Sequence, residues 1–73
     1  MGRIVAIGEE ARIMGFALAG VVLCPADDSG AVRAAWSDLR TDDALVILTA
    51  AAAEVLGDEV LRTRLPLTAV MPA

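Results

Sequence analysis

Four short apolar runs punctuate the chain. They are Arg3-Ile4-Val5-Ala6-Ile7-Gly8, Val21-Val22-Leu23-Cys24, Ala44-Leu45-Val46-Ile47-Leu48 and Leu67-Thr68-Ala69-Val70-Met71. None shows sustained alternation of apolar and polar residues. Short runs of that kind read as strands buried on both faces, the pattern of a parallel sheet. Between them the apolar spacing becomes helical. Glu9 and Glu10 open a first helix, where the positive end of the helix dipole favours acids. Ala11, Met14 and Leu18 form its expected apolar stripe, and Gly20 is the residue expected just past its end near Ala19. Asp27-Asp28-Ser29-Gly30 supplies a loop and an N-cap for a second helix. There Val32, Ala35, Trp36 and Leu39 occupy i, i+3, i+4 and i+7, with Arg33, Ser37 and Arg40 on the other side. Thr41-Asp42-Asp43 breaks that helix. Thr49 is positioned to cap a third helix beginning at Ala50. Its inner residues are Ala53, Leu56 and Val60, and its outer ones are Glu54, Asp58 and Arg62. Asp58 and Arg62 are spaced for an ion pair. Gly57 weakens or kinks this helix, and Pro66 stops it.

Strand and helix thus alternate strictly, which predicts an α/β fold with a four-stranded parallel sheet and three helices. Right-handed crossovers and the common doubly wound order 2-1-3-4 place the first helix alone on one face. It then shields strands 1 and 2 and leaves strands 3 and 4 bare. A complete fold of this kind covers them with a further, C-terminal helix, which residues 1–73 do not supply. The expectation is an exposed apolar patch built from Leu45, Ile47, Leu67, Ala69 and Met71, and exposed patches of this type mark partner surfaces.

Length agrees with that expectation. Seventy-three residues make one domain, residues 1–73, and a chain so short buries only about 60% of its unfolded surface. It is marginal alone. Cys24 is the only cysteine, so no internal disulfide helps, and with no His a zinc site is not expected either. The chain is 58% hydrophobic, yet its longest uncharged stretch, Ile13 to Ala26, is 14 residues and contains two Gly and a Pro. A membrane-spanning helix needs about 20 apolar residues. Glu9, Glu10 and Arg12 interrupt any signal-peptide core. A soluble, cytoplasmic protein is expected. The net charge of −4, with six Arg and no Lys, disfavours nucleic acid as a partner.

Chemistry is sparse. Open α/β sheets bind ligands at the carboxyl ends of the strands, here Gly8-Glu9-Glu10 and Thr49-Ala50. The sequence after Gly8 lacks the G-x-G-x-x-G fingerprint, and no Lys serves a phosphate loop. A phospho-receiver site would need an Asp where Thr49 stands. Cys24 reads as a small buried hydrophobe, since no His is present to activate it. Asp27-Asp28 and Asp42-Asp43 read as solvated loops, and Trp36 reads as core or, failing that, interface. No catalytic residue, cofactor site or metal site is assigned, and the chain is not expected to be an enzyme by itself.

Gly15-Phe16-Ala17-Leu18-Ala19-Gly20-Val21 is the most distinctive string. A mid-helix glycine such as Gly15 is either tolerated at a cost or allows another group to approach closely. The string resembles the "G-F-x-L-A-G-V" segment of the F subunit of the archaeal/vacuolar-type (A/V-type) rotary ATPases. Ile4 to Gly8 is similar to that family's first strand with its "I-G" ending, and Ala44 to Thr49 to its "I-I-L-I-T" third strand. Leu65-Pro66 through Val70-Met71-Pro72 is similar to its "P-x-I-V-x-I-P" fourth strand. The resemblance covers essentially the whole chain. Ala17 departs from it, where the family often has Arg, as does Glu9, where Asp is frequent. The family's regulatory C-terminal extension has no counterpart in residues 1–73.

The resemblance implies a Rossmann-like, flavodoxin-like component of the central stalk, peripheral to the membrane and not inserted in it. Such a component binds the coiled-coil axle, contacts other subunits of the complex, and helps couple ATP turnover to proton or sodium transport without being catalytic. Two rival expectations stand beside it. One is a stand-alone module binding a small ligand at Gly8–Glu10 and Thr49. The other is a homodimer whose bare faces meet.

Overall fold

The computed structural model describes residues 2–40, 42–62 and 67–72. Strand β1 is Ile4–Gly8, followed by α1, Glu10–Ile13, and a 3₁₀ segment, Met14–Ala19. Strand β2 is Val22–Pro25, α2 is Ser29–Ser37 and β3 is Leu45–Leu48. Two helices, α3 (Ala50–Leu56) and α4 (Asp58–Arg62), precede β4, Leu67–Val70. All three strand pairings are parallel, and the order is β2-β1-β3-β4. The α/β sheet anticipated from the apolar runs is therefore present. The stop proposed at Pro66 lies outside the described residues.

Register sorts the side chains into two layers. In a parallel sheet, residues aligned across neighbouring strands point to the same face. Val5 aligns with Val46, and Ile7 with Leu48. These four are fully buried and pack with Val32 of α2 and with Ala52 and Leu56 of α3. Each such aliphatic side chain contributes roughly 1.5–3 kcal/mol by leaving water. Trp36 and Val60 close over this core half-buried. The opposite face carries Ile4, Leu45 and Leu67 in one row, and Leu23, Ala6, Ile47 and Ala69 in the next. Among the described residues, α1 and the 3₁₀ segment lie on it, against β1 and β2.

Two helices depart from expectation. Ala11, Met14 and Leu18 are exposed, not an inward stripe. Ile13 is the buried residue of α1, and Phe16, three positions on, is half-buried. The reason is the tighter winding: at three residues per turn, i and i+3 eclipse, so the inward row is Ile13–Phe16. Gly20 ends the segment in the left-handed conformation, φ 77°, as anticipated. Gly57 does more than kink the third helix. Its φ of 55° and ψ of −125° divide α3 from α4. Asp58 and Arg62 both fall within α4, yet among the described residues the ion pair on this helix is Arg33 with Glu59, at 3.9 Å. Strand β4 also departs: Leu67 and Val70, on opposite faces, are both substantially exposed, and among the described residues no helix fully covers either side of it.

One polar clip holds the amino ends of the strands. Arg3 Nε donates to Asp43 Oδ1 at 2.7 Å and Nη2 donates to Oδ2 at 3.2 Å. The Arg40 backbone N–H donates to the same carboxylate at 2.8 Å. Asp43 is only 4% exposed, so it is not the solvated loop residue its polar neighbours suggested. Hydrogen bonding to Arg3, then to the Arg40 N–H, holds its carboxyl below the usual Asp value. The acid form loses both bonds, so the clip stabilises the fold above the ordinary Asp range and fails as pH falls below it. Thermal stability is expected to drop below about pH 4. Asp43→Asn is expected to lower the melting temperature at pH 7 and to flatten that acid limb. A variant with an unchanged acid limb would show that the clip does not govern it.

Candidate functional site

Ligands of doubly wound sheets usually sit at the carboxyl ends of the strands where the order reverses, here between β1 and β3. In this chain that position is filled. Thr49 follows β3 and is fully buried. Its backbone N–H donates to the Ile7 carbonyl at 3.1 Å, continuing the ladder beyond β3. Its hydroxyl donates to Glu9 Oε1 at 2.5 Å and accepts the Ala52 N–H at 3.3 Å, capping α3. Gly8 has φ 156°, and a Cβ there would collide with the Thr49 side chain. Glycine at 8 and threonine at 49 are thus a matched pair: the first lacks a side chain so that the second can occupy the crevice.

Glu9 is drawn into the same cluster. The Thr49 hydroxyl, then Glu9's own backbone N–H, hold its carboxyl below the ordinary value, and Arg12 at 3.7 Å adds to this. Glu10 remains exposed in the first turn of α1. The sequence suggested that these acids complement the helix dipole or, in the rival reading, line a ligand site. The long-range bond from Glu9 to Thr49 had no local signal.

A hollow of about 130 Å³ opens beside this cluster, bounded by Glu9, Asp27, Asp28, Val32, Ala52 and Val55. Its acids already have tasks or face water. Asp28 accepts the Ala31 N–H at 2.7 Å as the N-cap of α2, Glu9 is bonded to Thr49, and Asp27 is exposed. Asp27-Asp28 and Asp42-Asp43 lie at opposite ends of the strands and do not combine. Among the described residues no group of three potential metal ligands converges. Cys24 is half-buried, and burial pushes its thiol above the usual cysteine value, opposite to the shift that activates a nucleophile.

The apolar patch is the more extensive feature. Leu45 and Ile47 are half-buried, Leu67 and Ala69 are exposed, and Met71 just beyond β4 is half-buried. Register places Leu45 beside Leu67, and Ile47 beside Ala69, on the face that α1 leaves open. Ile4 joins them at 40% exposure, beside Leu45. The sequence pattern did not single out Ile4, since it lies in the strand expected to be fully covered. Pro72 is exposed after β4, and Val21 is half-buried at the entry to β2.

Gly15, Leu18 and Ala19 are all exposed in the 3₁₀ segment. No atom of the chain would lie within 4 Å of a Cβ at Gly15, apart from its immediate neighbours and local backbone. Of the two readings of Gly15, a tolerated glycine or a close approach by another group, the second is not realised within this chain. Among the described residues no helix is long and apolar enough to cross a membrane.

Two substitutions test the filled crevice. Gly8→Ala is expected to cost about 1–3 kcal/mol in denaturant unfolding, through strain and the collision with Thr49. Thr49→Val keeps the bulk but loses the cap and the Glu9 bond, and should cost about 1 kcal/mol or more. Full stability in both variants would show the cluster to be incidental. No protein-family model matches the chain, and no curated protein matches it.

Proposed function

We propose that this chain is a non-catalytic docking component of a rotary ATPase, of the F-subunit type, which binds the coiled-coil axle of the central stalk. The observation that carries the reading is the bare apolar face of β3 and β4. Leu67 there is 64% exposed, and Ile4, in the same row on the far side of Leu45, is 40% exposed. Isolated exposed apolar residues are ordinary, but a contiguous row across neighbouring strands is a surface suited to a partner. The G-F-x-L-A-G-V string from Gly15 to Val21 supports the choice of family. The filled crevice at Gly8 and Thr49 also favours docking over ligand binding, since the usual ligand position is taken by a side chain.

In this reading the protein turns with the axle and helps couple ATP turnover to proton or sodium movement. It sits at the membrane through the complex, on the cytoplasmic side. Its role is mechanical and needs no cofactor. Axle binding offsets the small core by covering surface that the isolated chain leaves wet.

The test is reconstitution. The chain, co-expressed with the axle subunit of a rotary ATPase from the same organism, is expected to elute as a one-to-one complex with the mass of the sum by light scattering. An axle that elutes alone at micromolar concentrations of both proteins would overturn the reading.

A further inference from the structure

Helix α2 covers the sheet unevenly. Val32 and Trp36 lie over the core, while Ala31, Ala34, Ala35 and Asp38 form a neighbouring stripe at i, i+3, i+4 and i+7. Three of these four are alanines, too short to reach the edge strand. Register sets Cys24 of β2 level with Ile7, on the face that α2 covers, yet Cys24 and Val22 are only half-buried. The result is an open hollow of about 500 Å³ between α2 and the sheet, floored by Val5 and Cys24. Small-molecule sites occupy roughly 300–1,000 Å³.

One end of this hollow is charged. Arg3, Asp38 and Arg40 stand there, where α2 ends and the strands begin. Arg3 is matched, since its Nε and Nη2 donate to Asp43. Asp38 and Arg40 are both exposed. Among the described residues neither of their side chains makes a hydrogen bond or an ion pair, with each other included. The Arg3–Asp43 pair is neutral in sum, so the charges left over are one cation and one anion.

We propose that the hollow binds a free α-amino acid with an aliphatic or aromatic side chain. The carboxylate faces Arg40, beside the Nη1 group that Arg3 does not give to Asp43. The ammonium faces Asp38 at the C-terminal end of α2, where the helix dipole also favours a cation. The apolar side chain lies along Ala34 and Ala31 toward Cys24. Charge chooses this class. A ligand with only a carboxylate would bring it against Asp38, and one with only an ammonium would bring it against Arg40; like charges set together cost affinity. A zwitterion satisfies both. Length agrees, since Ala31 to Asp38 spans about 10 Å of helix, room for a head group and one side chain. The site lies on the face opposite the bare patch and does not depend on the docking reading.

Cys24 is a built-in reporter, because a side chain in the hollow covers the only thiol of the chain. Alkylation of the purified chain by iodoacetamide is expected to slow saturably with L-leucine or L-phenylalanine, half-maximally at about 1 mM or below. Glycine, the head group without a side chain, should protect little. Phenylpropionate, which lacks the ammonium, and phenylethylamine, which lacks the carboxylate, should each need about tenfold more than phenylalanine. Arg40→Gln and Asp38→Asn should each weaken protection about tenfold or more. The Arg40 backbone bond to Asp43 survives the first of these. Ala34→Leu, at an exposed position, fills the hollow. It should slow alkylation without any ligand and remove the amino-acid effect, with the melting temperature within about 3 °C of wild type. Arg12→Gln, on the opposite face, should change nothing. No protection by either amino acid at about 10 mM would overturn the proposal. Equal protection by phenylalanine and either single-charge analogue would overturn it too, since one charge would then suffice. Protection that persists undiminished in both Arg40→Gln and Asp38→Asn would place the ligand elsewhere and likewise overturn it.

Discussion

Strands β1 and β3 lie side by side although about forty residues separate them, and two polar contacts fasten that pairing at its ends. Arg3 with Asp43 holds the amino end, and Glu9 with Thr49 holds the carboxyl end, each pair separated by 40 positions. Between them Ile4, Val5, Ala6 and Ile7 align with Leu45 through Leu48. Everything else follows from this junction. It fixes which residues of each strand face α2 and α3, because a slip of one position would exchange the two faces. It also makes β1 and β3 the interior strands and leaves β2 and β4 as edges.

The same junction explains why the usual ligand position is closed. Thr49 is simultaneously a ladder residue, the cap of α3 and the donor to Glu9. Gly8 gives it room. A residue with that many structural bonds is poorly placed to exchange them for a ligand, since each buried polar group left unpaired costs about 1–3 kcal/mol. The chain thus commits the junction between β1 and β3 to stability. The surface left over is the apolar face of β3 and β4, and the proposed axle contact follows from that division.

The fold was legible because its signals are local. Short, largely apolar runs identified four strands, and Asp28 and Thr49 were identifiable as caps from position alone. The bare patch was legible too, since counting helices against sheet faces requires only the order of elements and the handedness of crossovers. Leu45, Ile47, Leu67 and Ala69 were named on that basis and share one face in the structure. The 3₁₀ winding of Met14–Ala19 was not legible. A 3.6-residue period and a three-residue period predict different inward residues, and the sequence offers Ala11, Met14 and Leu18 as readily as Ile13 and Phe16.

By itself, then, the sequence determined the class of fold, the positions of the four strands and the existence of an uncovered apolar face. Tertiary structure alone decided how the polar residues pair: Asp43 with Arg3, and Glu9 with Thr49. It also decided that the space around Gly15 is empty and that Leu18 stands beside it in solvent. The physical reason is range. Apolar periodicity and caps act within a few residues, whereas a salt bridge across forty positions, or open space beside a glycine, exists only once the chain has folded back on itself.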